Sequence, residues 1–399
     1  MKILILSPKV PYPPKDGGAI ATLGLARGLA QLGAEITILC LNTSKHFSNT
    51  SAIPEKISSL MNIIEVFHDT EIRFTKALYN LIFSQEPYNG TRFISSRFES
   101  KLTTLLKENK YDIVQIEGPY MGYYIPVIRK HSKARIAIRA HNVEHQIWAR
   151  KSANEPNIVT SQYLSMLSKR IKKHESKILN SADLLVAISE KDQKLLLKLN
   201  PGIRSIVIPA GVDSDNYPES QDPEYPSLFF IGSLDWMPNQ EGLIWFLENV
   251  WPEVQKSSQV KFHIAGRNAP GWMEKKIRTK DVIFHGEIED AHDFMNKYAI
   301  MISPIFSGSG IRIKILEAMM MGKVVISTRM GSEGISYTHG ENILLADDPS
   351  TFAKFIIDYG TNRKKYDRIA KSSRNFVQEN FNNKNFCILL KEFYRNNMK

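Results

Sequence analysis

Apolar residues fall along this chain in short unbroken runs rather than in strict alternation. KILILS at 2–7, then 35–41, 62–67, 112–117, 135–140, 183–188 and 205–209 are the candidate strands of the first half. A strand that is apolar on both faces is buried on both faces, as in a parallel sheet between helix layers. Helical patterns separate the runs, for example 19–32, 96–108 and the charged stretch 164–180. Residues 209–227, PAGVDSDNYPESQDPEYPS, break the periodicity with Pro, Asp, Ser and Gly and read as a linker. A second strand–helix series follows. Its strands are 228–232, 261–265, 282–285, 300–304, 324–328 and 343–346, and its helices are 238–256, 310–321 and 349–359. Pro238 suits the first turn of a helix. The last helix is 383–396. The pattern predicts an α/β protein with two doubly wound, Rossmann-like domains. The first is 1–213, the second 214–382, and 383–399 forms a terminal helix.

Composition narrows the class. The chain has 399 residues, 43% hydrophobic and 23% charged, which excludes collagen-like, coiled-coil and disordered architectures. Cys40 and Cys387, the two cysteines, are too far apart in sequence for a disulfide framework or a Cys-based zinc site. Residues 2–7 are too short for a signal core, and Pro8, Pro11, Pro13 and Pro14 follow at once. No run approaches the roughly 18 apolar residues of a membrane span. The expectation is a cytoplasmic protein, peripheral on the inner face of the cell membrane at most. The net charge of +11 is uneven: residues 1–200 carry 28 Lys and Arg against 17 Asp and Glu, and residues 201–399 carry 24 of each. The basic first half therefore suits an anionic partner such as a phospholipid surface, with 129–139 and 169–177 as contact surfaces. No recognition motif points to nucleic acid.

Open parallel sheets bind ligands beyond the carboxyl ends of their strands, and two such domains direct the site to the cleft between them. The loop after the first strand holds Gly17 and Gly18 before a helix, where backbone N–H groups and the helix dipole favour a phosphate. The richest segment is SPIFSGSGIRIKILEAMMMGKVVIST at 303–328. Gly308, Ser309 and Gly310 can expose amides to a diphosphate, and Arg312 or Lys314 can add countercharge. Glu317 shares a helix face with Lys314 and Ile313, and its carboxylate suits vicinal ribose hydroxyls. The bland alternative is a Lys314–Glu317 surface pair. Gly232-Ser233 and the Ala265-Gly266-Arg267 loop follow other strands of the second series; Arg267 can reach a phosphate or base. RIAIRAHNVEH at 135–145 places His141 after a strand, where it can bond a substrate hydroxyl. His141, Glu144 and His145 also match the H-x-x-E-H zinc-peptidase pattern.

On these residues the chain resembles the group 1 family of retaining glycosyltransferases, of the glycogen synthase and mannosyltransferase type. The resemblance covers nearly the whole chain. It runs through Gly17-Gly18 with LARGLAQLG, His141-Asn142, Ala182-Asp183 with Ile188-Ser189-Glu190, and Pro209 to Asp213. Gly232-Ser233, LEAMMMGKVVIST, Gly331 and Glu333-Gly334 continue it. It implies a GT-B fold, with the terminal helix crossing back to the first domain and the acceptor on that domain. The donor is then a nucleotide-diphosphate sugar, UDP- or GDP-linked, used as substrate with no cofactor and no metal. The acceptor is a glycan or lipid-linked hydroxyl, in cell-surface polysaccharide or glycolipid assembly. His141 and Glu317 become the catalytic pair, with Glu317 on the ribose and His141 on the donor sugar. Gly17, Gly18 and the 308–310 loop lie at the diphosphate. Three positions differ from the family pattern. Ser309 stands where the family often has an earlier glutamate, and Ser233 stands where an arginine follows the glycine, with Pro238 and Asn239 near the place of a lysine. Arg312 or Lys314 is the expected replacement cation. The other classes open to this sequence are a sugar-nucleotide epimerase of the same fold, a non-catalytic nucleotide-sugar binder and a zinc peptidase.

Overall fold

The computed structural model describes residues 1–399 except 15, 45–46, 215–216, 218–222, 309 and 399. It divides into two compact units, Met1–Gly211 with Asn383–Lys399, and Val212–Asn382.

The first unit is built on a parallel sheet of seven strands. They are β1 (Lys2–Ser7), β2 (Glu35–Thr43), β3 (Met61–His68), β4 (Ile113–Glu117), β5 (Arg135–Ala140), β6 (Leu184–Ala187) and β7 (Arg204–Val207), in the order β3-β2-β1-β4-β5-β6-β7. Ile3 pairs with Ile36 on one side and Ile113 on the other. The unbroken apolar runs have the expected cause. Successive side chains alternate between faces. Ile3, Ile5, Ile36 and Ile38 pack on one face with Leu23 and Leu29 of helix Gly17–Gln31, and Leu4, Leu6, Leu39 and Leu41 pack on the other with Phe98 and Leu102 of helix Ser96–Glu108. Helix Asn383–Asn396 belongs to this unit. Its Asn383 amide donates to the Gly24 carbonyl (2.9 Å), the Tyr394 hydroxyl donates to Gln115 Oε1 (2.7 Å), and Cys387, Leu390 and Tyr394 are fully buried.

The second unit has a six-stranded parallel sheet. Its strands are β8 (Glu224–Ile231), β9 (Lys261–Ala265), β10 (Val282–Gly286), β11 (Tyr298–Ser303), β12 (Val324–Ser327) and β13 (Leu344–Leu345), in the order β10-β9-β8-β11-β12-β13. Phe230, Phe262, Ile302 and Ile326 from the sheet pack with Phe246, Phe352 and Tyr366. β8 starts four residues earlier than the hydrophobic pattern predicts, because Glu224 pairs with Tyr298 of β11 and Ser227 with Lys261 of β9 although neither is apolar. The single helix expected over 238–256 is three pieces: Met237–Trp245, a π turn Phe246–Val250, and Trp251–Ser257. Pro252 explains the break, since it has no N–H and its ring crowds the carbonyl of the preceding turn. Pro238 does sit in a first helical turn.

Candidate active site

In each unit the strand order reverses beside the first strand, between β1 and β4 and between β8 and β11. Ligands of doubly wound sheets bind at such switch points, beyond the carboxyl ends of the strands.

In the second unit three loops meet the switch point's requirement of following β8, β9 and β11. After β11 the chain turns through Gly308 (φ 106°) and Gly310 (φ 82°), backbone settings that suit glycine. Ser309 lies outside the described residues. These settings stop the helix from starting at 310, where the sequence pattern puts it. It starts at Ile313, with Arg312 in extended conformation as its N-cap. Arg312 and Lys314 therefore do not share one helical surface, and they do different things. The Arg312 guanidinium donates to the Gly310 carbonyl and, at 3.4 Å, to that of Ser307, and it lies 5.6 Å over the Trp236 ring. Burial lowers its pKa, opposed by the Glu333 carboxylate. Lys314 Nζ lies 2.7 Å from Glu317 Oε2.

Glu317 is 1% exposed, so the surface-pair reading is wrong. Its Oε1 accepts a hydrogen bond from the Tyr217 hydroxyl at 2.7 Å. An exposed helix pair is worth a few tenths of a kcal/mol. A buried carboxylate losing its partner costs about 3–5 kcal/mol. Lys314 and Tyr217 thus give Glu317 its partners inside an apolar helix. A carboxylate has about four acceptor positions, so two remain after Tyr217 and Lys314. Tyr217 is itself fixed. Its carbonyl accepts from Arg374 (3.1 Å), and its ring packs against His292 at 4.4 Å. No local signal marks Tyr217, which lies in the linker a hundred residues before its partner.

The loops after β8 and β9 brace each other. Gly232 N–H donates to the Ala265 carbonyl (3.1 Å), and Arg267 Nε donates to Ser233 Oγ (3.3 Å). Ser233 Oγ also donates to Asp235 (2.6 Å), and its carbonyl accepts from Asn239 (2.8 Å). Gly232, Ser233 and Arg267 are thus brought together. Trp236 continues this loop to Gly308: a side chain built there would lie 3.2 Å from the indole.

In the first unit Gly17 and Gly18 form the first turn of helix Gly17–Gln31, not the turn before it. Asp16 caps the helix, accepting from Ala19 N–H at 3.0 Å, and Lys9 pairs with Asp16 beside Gly18. Lys9 is a cation the motif reading passed over, although it stands just beyond the first strand.

His141 follows β5 and is 22% exposed at the side chain. Its Nε2 lies 2.5 Å from Glu117 Oε2. An ionised carboxylate only accepts, so Nε2 carries the proton. Glu117 ends β4 and is 2% exposed. It also accepts from Thr22 Oγ1 (2.9 Å), Arg139 Nη1 (3.2 Å) and the Gln115 amide. Burial alone would raise the Glu117 carboxyl, but Arg139 and His141 outweigh it and hold the pKa at about 2. Glu117 was not singled out from the sequence. The available signal was a pair of opposite charges, Glu117 and Arg139, near the ends of two apolar runs that turn out to be register partners.

The zinc-peptidase pattern does not assemble. His141 is held by Glu117, whereas His145 Nδ1 is held by Glu175 Oε2 at 2.6 Å. Glu144 accepts from the Tyr120 hydroxyl (3.2 Å), and its pKa is raised to about 7 by burial and then by Glu175. Among the described residues no group of three His, Cys, Asp or Glu is placed to hold a metal ion. Within the basic stretch 129–139 one arginine is withdrawn from the surface and two are paired, while Arg129, Lys130 and Lys133 stay exposed. Arg129 and Arg135 pair with Asp183, at 2.9 and 3.4 Å, and Arg139 is 1% exposed on Glu117. No helix of the described residues is long and apolar enough to cross a membrane.

Two parallel α/β units, each with polar loops at its switch point, are the GT-B glycosyltransferase architecture. Sucrose-phosphate synthase of Thermosynechococcus elongatus superposes with a TM-score of 0.72 over 99% of this chain and 98% of that one, at 17% identity. Anabaena HepE, solved with UDP and glucose, gives 0.69 over 99% and 100%, at 16% identity. An uncharacterized 44.6 kDa protein in the cps region of Klebsiella pneumoniae is 26% identical over 405 residues, 98% of this chain and 99% of that protein. Residues 15–216 match the model of glycosyltransferase family 4, and residues 225–362 that of glycosyl transferases group 1. The chain belongs to the group 1 glycosyltransferases.

Proposed function

We propose that this glycosyltransferase moves a hexose from a UDP- or GDP-sugar, with retention of anomeric configuration, to a hydroxyl of a glycan or lipid-linked acceptor in cell-surface polysaccharide or glycolipid assembly. The observation that carries the donor assignment is Glu317, a buried carboxyl held inside an apolar helix by Tyr217 and Lys314 with acceptor capacity left over. It stands just past a glycine turn at a switch point. HepE, of similar fold, is described with UDP and glucose, which supports a nucleotide-sugar donor. The cps-region relative supports a polysaccharide setting.

The roles follow from the chemistry of each group and the family resemblance. Glu317 accepts from the ribose hydroxyls. The 308–310 turn and the Arg312 guanidinium are assigned to the diphosphate, with Gly232, Ser233 and Arg267 beside them. Arg312 is the better replacement cation, because Lys314 is committed to Glu317. Gly17 and Gly18 are assigned to the diphosphate and His141 to the donor sugar, its ring fixed by Glu117. The acceptor hydroxyl attacks the anomeric carbon on the face the diphosphate leaves. The bond to the departing phosphate oxygen breaks, and that oxygen takes the proton. Orientation and stabilisation of the leaving charge are the protein's contribution, with no metal or further cofactor required by this scheme. Glycosidases, by contrast, need two spaced carboxylates.

Calorimetric titration with UDP, GDP and their sugars tests the donor site. Glu317→Gln should weaken nucleotide binding roughly 10- to 100-fold, the worth of hydrogen bonds to a charged group. Equal affinity in wild type and Glu317→Gln would remove the assignment. Proton NMR of the product reads its anomeric configuration, and an inverted linkage would refute retention.

A further inference from the structure

Helix Phe74–Phe83 leaves most of its large apolar side chains exposed, beside Thr75 and Lys76, while Ala77, Asn80 and Leu81 take its inner side. Its polar Asn80 is turned inward, 9% exposed, while Leu78, Tyr79, Ile82 and Phe83 are 45, 67, 63 and 71% exposed. At 100° per residue those four positions span one stripe about 140° wide. The Tyr79 and Phe83 rings meet each other in a tilted pair, centroids 5.0 Å apart. Ile72, just before the helix, is 72% exposed. Scattered exposed apolar residues need no explanation, but a contiguous stripe on one helix marks an interaction site.

What borders the stripe identifies its occupant. Helix Ile158–Ser181 runs beside it: Arg170 donates to the carbonyls of Asn80 (3.3 Å) and Leu81 (3.0 Å), Lys173 to Gln85 (2.9 Å), and Lys177 pairs with Glu86. The exposed face of that helix carries Lys169, Lys172, Lys173 and Lys177, which line an open depression of about 520 Å³. An apolar helix face flanked by a row of lysines is complementary to one surface in particular, an anionic bilayer. Apolar and aromatic side chains enter the boundary between headgroups and acyl chains, and the ammonium groups meet the lipid phosphates.

We propose that helix Phe74–Phe83 inserts its Leu78, Tyr79, Ile82 and Phe83 face into an anionic membrane surface, with the lysine ridge of helix Ile158–Ser181 on the headgroups. This surface lies in the first unit and does not rest on the donor assignment, so vesicle binding is read without donor or acceptor.

The full chain is sedimented with vesicles of phosphatidylglycerol and phosphatidylcholine, and with phosphatidylcholine alone. Binding should need the anionic lipid and weaken with salt. A Lys169→Glu, Lys172→Glu, Lys173→Glu triple variant should bind at least about tenfold more weakly. An Ile82→Ser, Phe83→Ser double variant should lose a similar factor, with its melting temperature kept because both positions are exposed. Hydrogen exchange on vesicles should slow across residues 72–83, a readout that needs no variant. No binding to anionic vesicles at low salt overturns the proposal, and so does protection confined to other segments. Loss in the lysine variant alone reduces binding to surface charge and overturns insertion of the helix. A concentration-dependent dimer abolished by Ile82→Ser, Phe83→Ser, without vesicle binding, makes a second copy the occupant and also overturns it.

Discussion

Glu117 organises the first unit's site, and the balance of forces on it is testable by pH. Its carboxyl is held at about 2, against 4.5 for the free group. A depressed carboxyl contributes stability fully above the unfolded pKa, and the contribution is lost as pH falls through the folded one. Glu117→Gln leaves Arg139 buried without its countercharge. The variant should therefore be about 3 kcal/mol less stable than wild type at neutral pH. The gap should shrink as pH drops from about 4.5 towards 2, where wild-type Glu117 is protonated too. Denaturant titrations of both proteins along a pH series check this, and a gap constant with pH would refute the pairing. The sequence marked His141 because it follows a strand. It did not mark the acid that aims it, because Glu117 ends an apolar run and Arg139 reads locally as one more surface cation. Only the β4–β5 register puts the two charges side by side. Tyr217 is the same case in the second unit, since its pairing with Glu317 spans the whole strand–helix series.

At the scale of elements, the turn after β11, to which the donor is assigned, is positioned from behind. Helix Met237–Trp245 packs its Gly242 directly on the Pro304 carbonyl, and a side chain there would come within 1.8 Å of that oxygen. No backbone contact of that length exists, so Gly242→Ala must push the helix or the 304–310 loop aside. Overpacking of this kind costs roughly 1–3 kcal/mol. The expected outcome is a lowered melting temperature together with nucleotide affinity weakened about tenfold, although residue 242 touches no ligand-facing group. Unchanged affinity would show that the turn does not depend on this contact. The helix that carries Glu317 was legible as a helix from its periodicity. Its start was not, because the pattern counted Gly310 to Arg312 as helical while the positive φ of Gly308 and Gly310 keeps them out.

At the scale of the molecule, the chain's last helix completes its first unit. Cys387, Leu390 and Tyr394 are fully buried there. At about 1.5–3 kcal/mol for each large apolar side chain, their loss approaches the total stability of a typical domain, about 5–15 kcal/mol. A chain ending after Asn382 should therefore lose the fold of residues 1–211. Limited proteolysis should cut that segment freely while 212–382 resists, and a digestion pattern equal to that of the full chain would contradict the role of the helix.

The sequence by itself determined that two parallel α/β layers stand in series, that a glycine turn opens the Glu317 helix, and that the chain resembles the group 1 glycosyltransferases. Those features are written in local periodicity and in residues a few positions apart. The tertiary structure decided which groups meet: Glu117 with Arg139 and His141, and Glu317 with Lys314 and the Tyr217 hydroxyl. It also decided that Arg139 is buried on Glu117 and that helix Phe74–Phe83 leaves Leu78, Tyr79, Ile82 and Phe83 exposed. Periodicity reports that a helix has two faces. Which face meets the core, and which partner satisfies a buried charge, depends on strands and helices brought together from distant parts of the chain.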